Sequence, residues 1–171
     1  AKTATSHEEA VAQLRPWVKK KKAWAQCHMG QMYYRGEGVK QSYEMAKILY
    51  EQAAEQGDVS AMAHLGEMYY NGYGVEQSYE RAFEYYEQAA QFGYAEAQYN
   101  LGIMYQKGEG VEQSYEKAFE YYEQAAHLGD ATAQYNSGNM YYNGQGVKED
   151  IAKAKEWWTK AAAQGQKNAI K

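Results

Sequence analysis

Metal binding and nucleophilic catalysis depend mainly on histidine, cysteine and carboxylate side chains. The four histidines and the single cysteine of this chain are His7, His28, His64, His127 and Cys27. His28 and His64 lie 36 residues apart, at one position of a repeated unit. Repeated helices pack about 10 Å apart, which is too far for one shared metal ion. We therefore predict no metal site.

Three short motifs begin like catalytic or phosphate-binding signatures without completing them. His7-Glu8-Glu9 lacks the second histidine of a zinc-protease helix. Cys27 and His28 are adjacent, so on a helix their side chains point about 100° apart and cannot form a nucleophile–base pair. Gly108-Glu109-Gly110 lies in a predicted turn and lacks the third glycine and the lysine of phosphate-binding loops. We expect no catalytic residue, no enzyme activity and no cofactor.

The charge distribution argues against general nucleic-acid binding. Residues 1–40 carry eight Lys and Arg against three acids, net +5, and residues 41–171 carry ten against nineteen, net −9. An acidic body lacks the basic face that releases counterions from a phosphate backbone. The one basic cluster, Lys19–Lys22, is typical of a solvated helix end. We expect no nucleic-acid partner.

Composition also bears on the compartment. No apolar run approaches the roughly 20 residues that span a bilayer, so we expect no membrane insertion. One cysteine permits no internal disulfide, and the first residues lack the basic-then-apolar layout of a secretory signal. These features favour a cytoplasmic location.

A period of 36 residues organises most of the chain. The residues that recur at this interval are Gly30, Gly66, Gly102 and Gly138, then Tyr33, Tyr69, Tyr105 and Tyr141, then Val39, Val75, Val111 and Val147. Segments 75–90 and 111–126 differ only at Arg81 and Lys117. A fixed period of this length predicts stacked units of secondary structure that share one core.

Each unit is predicted to contain two helices joined by a turn. In the third unit, the apolar stripe of the first helix comprises Ala97, Leu101, Met104 and Tyr105. Gly108 is expected to end this helix, because glycine adopts the left-handed conformation of a helix C-terminus. The second helix is expected to start after Ser114 as N-cap and to end at Gly129, and Asp150 replaces the capping serine in the last unit. Its predicted buried residues are Ala118, Tyr121, Tyr122, Ala125 and Ala126.

Glycine inside a helix costs up to about 1 kcal/mol relative to alanine, so the recurrence of Gly102 needs a structural reason. We predict that another backbone passes too close to Gly102 for a side chain. Ala118 and the Ala125-Ala126 pair would supply the opposing small surface.

We predict a single repeat array over residues 1–171. Its parts are a partial repeat and cap helix at 1–22, full repeats at 23–58, 59–94, 95–130 and 131–166, and the start of a further repeat or a tail at 167–171. Ser6 and Glu9 have capping-box spacing, which starts the first helix after Ser6, and Pro16 should bend or shorten that helix. Ala169 falls at the register of Ala133.

The repeated pattern A-x-A-x-x-x-L-G-x-M-Y-x-x-G-x-G-V, followed by A-x-x-x-Y-x-x-A-A-x-x-G, resembles the Sel1-like repeat, a relative of the tetratricopeptide repeat. The resemblance is clearest at residues 95–129 and covers four consecutive copies. It implies an all-α fold, a right-handed superhelical α-solenoid whose first helices line a concave groove. It also implies that the protein is an adaptor that assembles protein complexes.

Partner binding is expected at first-helix positions that lie off the apolar stripe. The predicted partner-binding residues are Gln31, Tyr34, Arg35, His64, Glu67, Tyr70, Asn71, Tyr99, Asn100, Ile103, Gln106, Lys107, Tyr135, Asn136, Asn139, Tyr142 and Asn143. Cys27 and Ala63 fall on the same predicted face. Tyrosine suits recognition because it combines a large contact area with few rotors, but the same tyrosines could instead pack between units.

One polar register could serve either binding or structure. It contains His28, His64, Asn100 and Asn136. These side chains could contact a bound peptide or bridge adjacent first helices. Central groove positions hold few basic residues, which argues against a clamp for an acidic C-terminus.

The leading hypothesis is a non-catalytic scaffold or adaptor that binds a protein or peptide. One alternative is a passive spacer or oligomerisation segment of a longer repeat protein, which the near-identical second and third repeats also allow. Another is a hydrolase or small-ligand binder. The chain could be a monomer or an end-stacked dimer.

Overall fold

The computed structural model describes residues 2–165, and within that range every regular element is an α-helix. The nine helices are α1 (Lys2–Lys19), α2 (Ala23–Arg35), α3 (Tyr43–Ala54), α4 (Val59–Asn71), α5 (Tyr79–Gln91), α6 (Ala95–Lys107), α7 (Tyr115–His127), α8 (Ala131–Asn143) and α9 (Ile151–Ala163). Each repeat contributes a first helix and a second helix packed as a hairpin, as in α2 with α3, α6 with α7 and α8 with α9. This confirms the prediction of an all-α repeat fold with a period of 36 residues.

Side-chain caps start most of the helices. Ser114 Oγ accepts the Lys117 N–H at 3.2 Å, which confirms its predicted role as N-cap of α7. Asp150 does the same for α9, with its Oδ1 3.0 Å from the Lys153 nitrogen. First helices end where predicted: Gly108 follows α6 with φ 74°, and its N–H donates to Met104 O. The boundaries of these helices thus follow from local chemistry.

The N-terminal helix differs from the prediction. Helix α1 starts at Lys2, so Ser6 lies inside it and is not its N-cap. The reason is that no glycine turn precedes Ser6, whereas Gly36 and Gly38 interrupt the chain before Ser42. Pro16 does not shorten α1, which continues to Lys19. The predicted start of a further repeat or tail at 167–171, including Ala169, lies outside the described residues.

Aromatic rings are the nearest atoms to the glycines inside first helices, and at Gly30 and Gly138 a second-helix backbone oxygen is also close. A Cβ on Gly102 would lie 2.6 Å from two ring carbons of Tyr122, and one on Gly138 would lie 2.5 Å from the indole of Trp158. The predicted close backbone is therefore not what occupies the position at Gly102, where the three nearest atoms all belong to Tyr122, whereas at Gly138 a ring and a backbone oxygen at the register of Ala118 are both close. A side chain at either glycine would therefore overlap the ring. The nearest backbone atom at Gly138 is Ala154 O, 3.1 Å away.

The chain divides between Tyr85 and Tyr86 into two compact units. In unit 1, a core cluster is formed by Cys27, Ala46, Tyr50, Ala53, Ala61, Leu65 and Met68. In unit 2, the core cluster is formed by Ala118, Phe119, Tyr122, Ala125, Ala126, Ala133, Met140, Tyr141, Ala154 and Trp157. Of the second-helix residues predicted to be buried in the third repeat, Tyr121 is only partly buried, and Phe119 joins the core without having been predicted.

Candidate partner-binding site

In unit 1, four polar side chains from two first helices are in mutual contact. Gln31 and Tyr34 lie on α2, and His64 and Glu67 lie on α4. The Tyr34 hydroxyl donates to a Glu67 carboxylate oxygen at 2.9 Å. Gln31 Nε2 lies 3.4 Å from His64 Nε2, and His64 Nδ1 lies 3.8 Å from the other Glu67 oxygen. We call these four residues the α2–α4 network.

Glu67 is the charged centre of this network. His64 beside it is the main cause that lowers the pKa of Glu67 below its ordinary value of 4.5, and Tyr34 and Arg35 act in the same direction against the effect of burial. Burial and the hydrogen bond to Glu67 raise the pKa of Tyr34. Tyr34 therefore remains a donor, and Glu67 an anion, at neutral pH. The Glu67 side chain is 37% exposed, so a partner can reach it.

His64 is held from a second direction by Tyr50. The two rings stack with centroids 4.9 Å apart. Gln31, a donor through its amide nitrogen, meets His64 at Nε2, so the favoured tautomer carries its proton on Nδ1, toward Glu67. Packing and polar contacts together fix the orientation of this histidine.

Tyrosines extend the same face of unit 1 beyond the first helices. Tyr34 lies 5.3 Å from Tyr43 and 6.0 Å from Tyr73, and Tyr43 stacks on Tyr73 at 5.3 Å between centroids. Tyr70 meets Tyr79 edge-on at 5.3 Å. The predicted groove tyrosines therefore both pack against neighbours and remain partly exposed.

Two further predicted residues lie at the C-terminal end of first helices in unit 1. Arg35 is exposed, with its guanidinium 3.9 Å from Glu37. Asn71 is exposed and donates to the backbone oxygen of Glu67 at 3.0 Å. Arg35 and Asn71 thus border the α2–α4 network.

In unit 2, predicted residues of α6 contact the aromatic ring that lies over Gly102. The Tyr122 hydroxyl donates to Gln106 Oε1 at 2.7 Å, and Tyr99 lies 5.7 Å from the Tyr122 ring. Ile103 is partly buried against the core. Burial raises the pKa of Tyr99, with Asp130 adding to the shift. These residues are held in place by the second helix.

The last repeat shows the same arrangement with tryptophan as the ring. Trp158 Nε1 donates to Asn139 Oδ1 at 3.1 Å, and the Tyr142 ring lies 5.5 Å from the indole. Tyr142 is 51% exposed, the largest exposure of any tyrosine among the described residues. Asn143 is exposed and donates to the Asn139 backbone oxygen at 2.9 Å.

The remaining predicted residues of unit 2 differ in exposure. Asn100, Tyr135 and Asn136 are half-buried. Lys107 is exposed, and its amine lies 3.6 Å from Glu109.

The two histidines of the polar register, His28 and His64, lie in different surroundings. His28 is exposed and lies edge-on to Trp24, at 6.2 Å between centroids, whereas His64 belongs to the α2–α4 network. Among residues 2–165, no group of three or more His, Cys, Asp or Glu side chains could hold a metal ion. None of the described helices combines the length and hydropathy needed to cross a membrane.

Four consecutive matches to the family model described as Sel1 repeat cover residues 25–58, 59–94, 95–130 and 131–166. This chain belongs to the Sel1 repeat family. The family consists generally of protein-interaction scaffolds that are typically non-enzymatic, and it implies protein partners. The resemblance inferred from the repeated motif is confirmed. No curated protein sequence matches the chain significantly.

Solved Sel1 repeat structures have the same fold. A protective antigen of uropathogenic Escherichia coli strains, described as displaying an SLR fold, is 33% identical over 95% of this chain and 35% of its own, with a TM-score of 0.89. A Sel1 repeat protein from Oxalobacter formigenes is 32% identical over 97% of this chain and 66% of its own, with a TM-score of 0.88. Cysteine rich protein B of Helicobacter pylori is 25% identical over 75% of this chain and 95% of its own, with a TM-score of 0.57. The Sel1 repeat chain thus spans about a third of the E. coli antigen and just under two thirds of the Oxalobacter protein.

Two residues placed on the groove face by the sequence are buried in this Sel1 repeat chain. Cys27 is 6% exposed and Ala63 is 4% exposed. Cys27 packs in the core of unit 1, where burial and the neighbouring Asp58 raise the pKa of its thiol to about 12. Both positions border the apolar stripe of the first helix, and the core cluster around Cys27 includes Ala46 and Tyr50 of the second helix α3.

Glutamines form a repeated set of contacts that the sequence analysis missed. Gln26, Gln98 and Gln134 occupy one register of the Sel1 repeat and are buried. Gln26 donates to Gln52 Oε1 at 2.7 Å and accepts from Gln56 at 2.6 Å. Their recurrence at the 36-residue period was the available signal. These contacts join first and second helices and leave the groove positions free to vary.

Proposed function

We propose that this chain is a non-catalytic adaptor that binds a protein or peptide partner through the first-helix face of its repeats. The observation that carries the proposal is the α2–α4 network: a hydrogen-bonded, partly exposed set of donors and an acceptor on two successive first helices. Such a set is arranged before a partner arrives. It therefore lowers the conformational entropy that binding must overcome.

Variation within a fixed frame supports this surface. The register that contains Glu67 holds Gln31, Ile103 and Asn139 in the other repeats. Core positions of the same helices keep one residue type, such as Gly102 with its equivalents. Repeat proteins separate stability from recognition in this way, because the stacked core sets the fold and the remaining positions set specificity.

Charge indicates the kind of segment that unit 1 would bind. The ionised Glu67 accepts a hydrogen bond from Tyr34, whose ring contacts those of Tyr43 and Tyr73. An accessible carboxylate next to aromatic faces favours a lysine or arginine side chain. We therefore infer a partner segment that presents a basic residue to this face.

Affinity capture with the whole chain, followed by mass spectrometry, tests the proposal. Tyr142→Ala and Glu67→Lys alter the first-helix face of unit 2 and unit 1, respectively. Tyr115→Ala is the matched control, because Tyr115 is a tyrosine of comparable exposure, 41%, on the second helix α7. Partners that disappear with the first two variants and persist with the control support the proposal. Capture that depends on Tyr115 and ignores the other two contradicts it.

The passive-spacer alternative gives a different result. It predicts that neither face captures a partner and that any self-association is unchanged by Glu67→Lys. Light scattering on the purified chain measures self-association directly. Loss of self-association in the Tyr115→Ala variant alone would assign the second-helix face to contacts between copies.

A further inference from the structure

A cavity of about 330 Å³ opens between α1, α2 and α3 in unit 1. Val11, Arg15 and Lys19 line it from α1, Tyr33 from α2, and Met45 and Leu49 from α3. None of these residues belongs to the α2–α4 network, so the inference below does not rest on the proposed function. The volume falls within the range of about 300–1,000 Å³ that is usual for small-molecule sites.

In the second and third repeats, an aromatic ring fills the place that corresponds to this cavity. Tyr69, the equivalent of Tyr33, stacks on Tyr85 at 5.6 Å with the rings 8° from parallel, and Arg81 lies 4.1 Å above it. In unit 2, Tyr105 stacks on Tyr121 at 5.6 Å with Lys117 at 5.0 Å. In these two repeats the tyrosine therefore takes a parallel ring on one side and a cation nearby, whereas Tyr141 of the last repeat meets the Phe119 ring edge-on and has Lys153 at 5.1 Å.

The first full repeat, next to α1, has neither the stacked ring nor the cation at these positions. Leu49 occupies the register of Tyr85 and Tyr121, and Met45 occupies that of Arg81 and Lys117. A leucine is smaller than a tyrosine ring, so the half-buried Tyr33 borders a space of ring size. Unlike Tyr69 and Tyr105, Tyr33 has no ring stacked on it among the described residues.

Helix α1 brings positive charge to the same cavity. Arg15 falls at the register of Glu123, whose carboxylate in unit 2 accepts a hydrogen bond from Tyr141 at 3.0 Å. The charge at this position is thus reversed. Arg15 and Lys19 form no ion pair with an acid in the part of the chain that the structure describes. Two cations without a counter-ion beside an apolar cavity favour an anionic ligand.

We propose that this cavity binds a small aromatic carboxylate. The ligand ring stacks on Tyr33 in the place that Tyr85 and Tyr121 occupy in later repeats. Its carboxylate meets Arg15 and Lys19 at the rim, and Val11 and Leu49 cover its apolar edge. Ring geometry and charge together define the ligand class, because neither an uncharged aromatic nor an aliphatic acid satisfies both parts of the site.

Calorimetric titration of the whole chain with 2-naphthoate tests this inference, with 2-naphthamide as the uncharged probe and cyclohexanecarboxylate as the non-aromatic one. We expect 2-naphthoate to bind about tenfold more tightly than either comparison compound. Arg15→Glu should weaken 2-naphthoate by a similar factor and remove its advantage over the amide. The matched control Lys155→Glu makes the same charge change at an exposed position of α9, outside the cavity and the proposed partner-binding face, and should leave binding nearly unchanged.

Filling the cavity provides a second, independent measurement. Leu49→Tyr restores the ring found in later repeats and should abolish 2-naphthoate binding while keeping the helical circular dichroism of the chain. Ile48→Tyr adds the same ring at a neighbouring, 40% exposed position of α3 and should leave binding intact. Equal affinity for acid and amide, or binding that survives Leu49→Tyr, would overturn the proposal. If Leu49→Tyr does not fold, the comparison of Arg15→Glu with Lys155→Glu still decides between the two outcomes.

Discussion

The hydroxyl of Tyr34 donates a 2.9 Å hydrogen bond to the carboxylate of Glu67, thirty-three residues further along the chain. This contact joins two first helices, α2 and α4, that belong to successive repeats. It places an anion and a tyrosine together on the face where partner binding was predicted. The contribution of this pair to the free energy of unfolding can be measured against pH and by a double-mutant cycle.

Acid should destabilise unit 1 through Glu67. The folded-state pKa of this carboxyl lies below its ordinary value of 4.5, so the unfolded chain binds the proton more readily. The stabilisation is complete above that ordinary value and is lost as the pH falls through the folded pKa. Urea unfolding between about pH 6 and about pH 3 measures it. The wild type should be more stable to unfolding than Glu67→Gln at about pH 6, and this difference should disappear on acidification. The control Glu84→Gln, at an exposed position of α5, should show the same change of stability with pH as the wild type.

A double-mutant cycle of Tyr34→Phe and Glu67→Gln should show that the two residues interact. We expect a coupling free energy of about 1 kcal/mol, because a hydrogen bond to a charged acceptor is strong but this one is partly exposed. Equilibrium unfolding of the two single variants and the double variant supplies the values. Strictly additive losses would mean that the hydrogen bond does not form in solution.

Gly102→Ala should destabilise unit 2 even though alanine is the better helix former. Its Cβ would lie 2.6 Å from two ring carbons of the buried Tyr122, so the ring must move. We expect a net loss of about 1–3 kcal/mol from overpacking. Thermal or urea unfolding measures it. In a Tyr122→Leu background the cost should shrink, since the ring that causes the clash is gone, and an unchanged cost would place the strain elsewhere.

Cys27 should react slowly with thiol reagents while the chain is folded. Its thiol is buried, and the pKa is raised from 9.0 to about 12, which lowers the thiolate fraction near neutral pH by roughly a thousandfold. A disulfide-exchange reagent monitored by absorbance at about pH 8 gives the rate. Addition of urea should restore the rate of an ordinary cysteine. Fast labelling without urea would show that the thiol is accessible in the native state.

Local chemistry made the repeat architecture predictable from the sequence. Ser114 and Asp150 cap second helices, and Gly108 ends a first helix, because each needs only neighbouring backbone groups to act. The local error at Ser6 arose because the spacing of a capping box was present without the glycine turn that ends the preceding segment. Family membership also followed from the 36-residue pattern.

The candidate site was predictable only in part. The sequence indicated that Tyr34, His64 and Glu67 share a first-helix face, but not that they contact one another. It also assigned Cys27 to that face, although the side chain is buried. Cys27 borders the apolar stripe, and the repeat pattern does not specify how the helix is rotated about its axis.

The sequence by itself determined the period, the helices and their ends, because these depend on residue types that are close along the chain. Only the tertiary structure decided which groups meet across helices: Tyr122 on Gly102, Tyr34 on Glu67, and Leu49 leaving Tyr33 without a stacked ring. Such contacts depend on side-chain rotamers and on the distance between packed helices. Those quantities are set by the whole core at once, and not by any local stretch of residues.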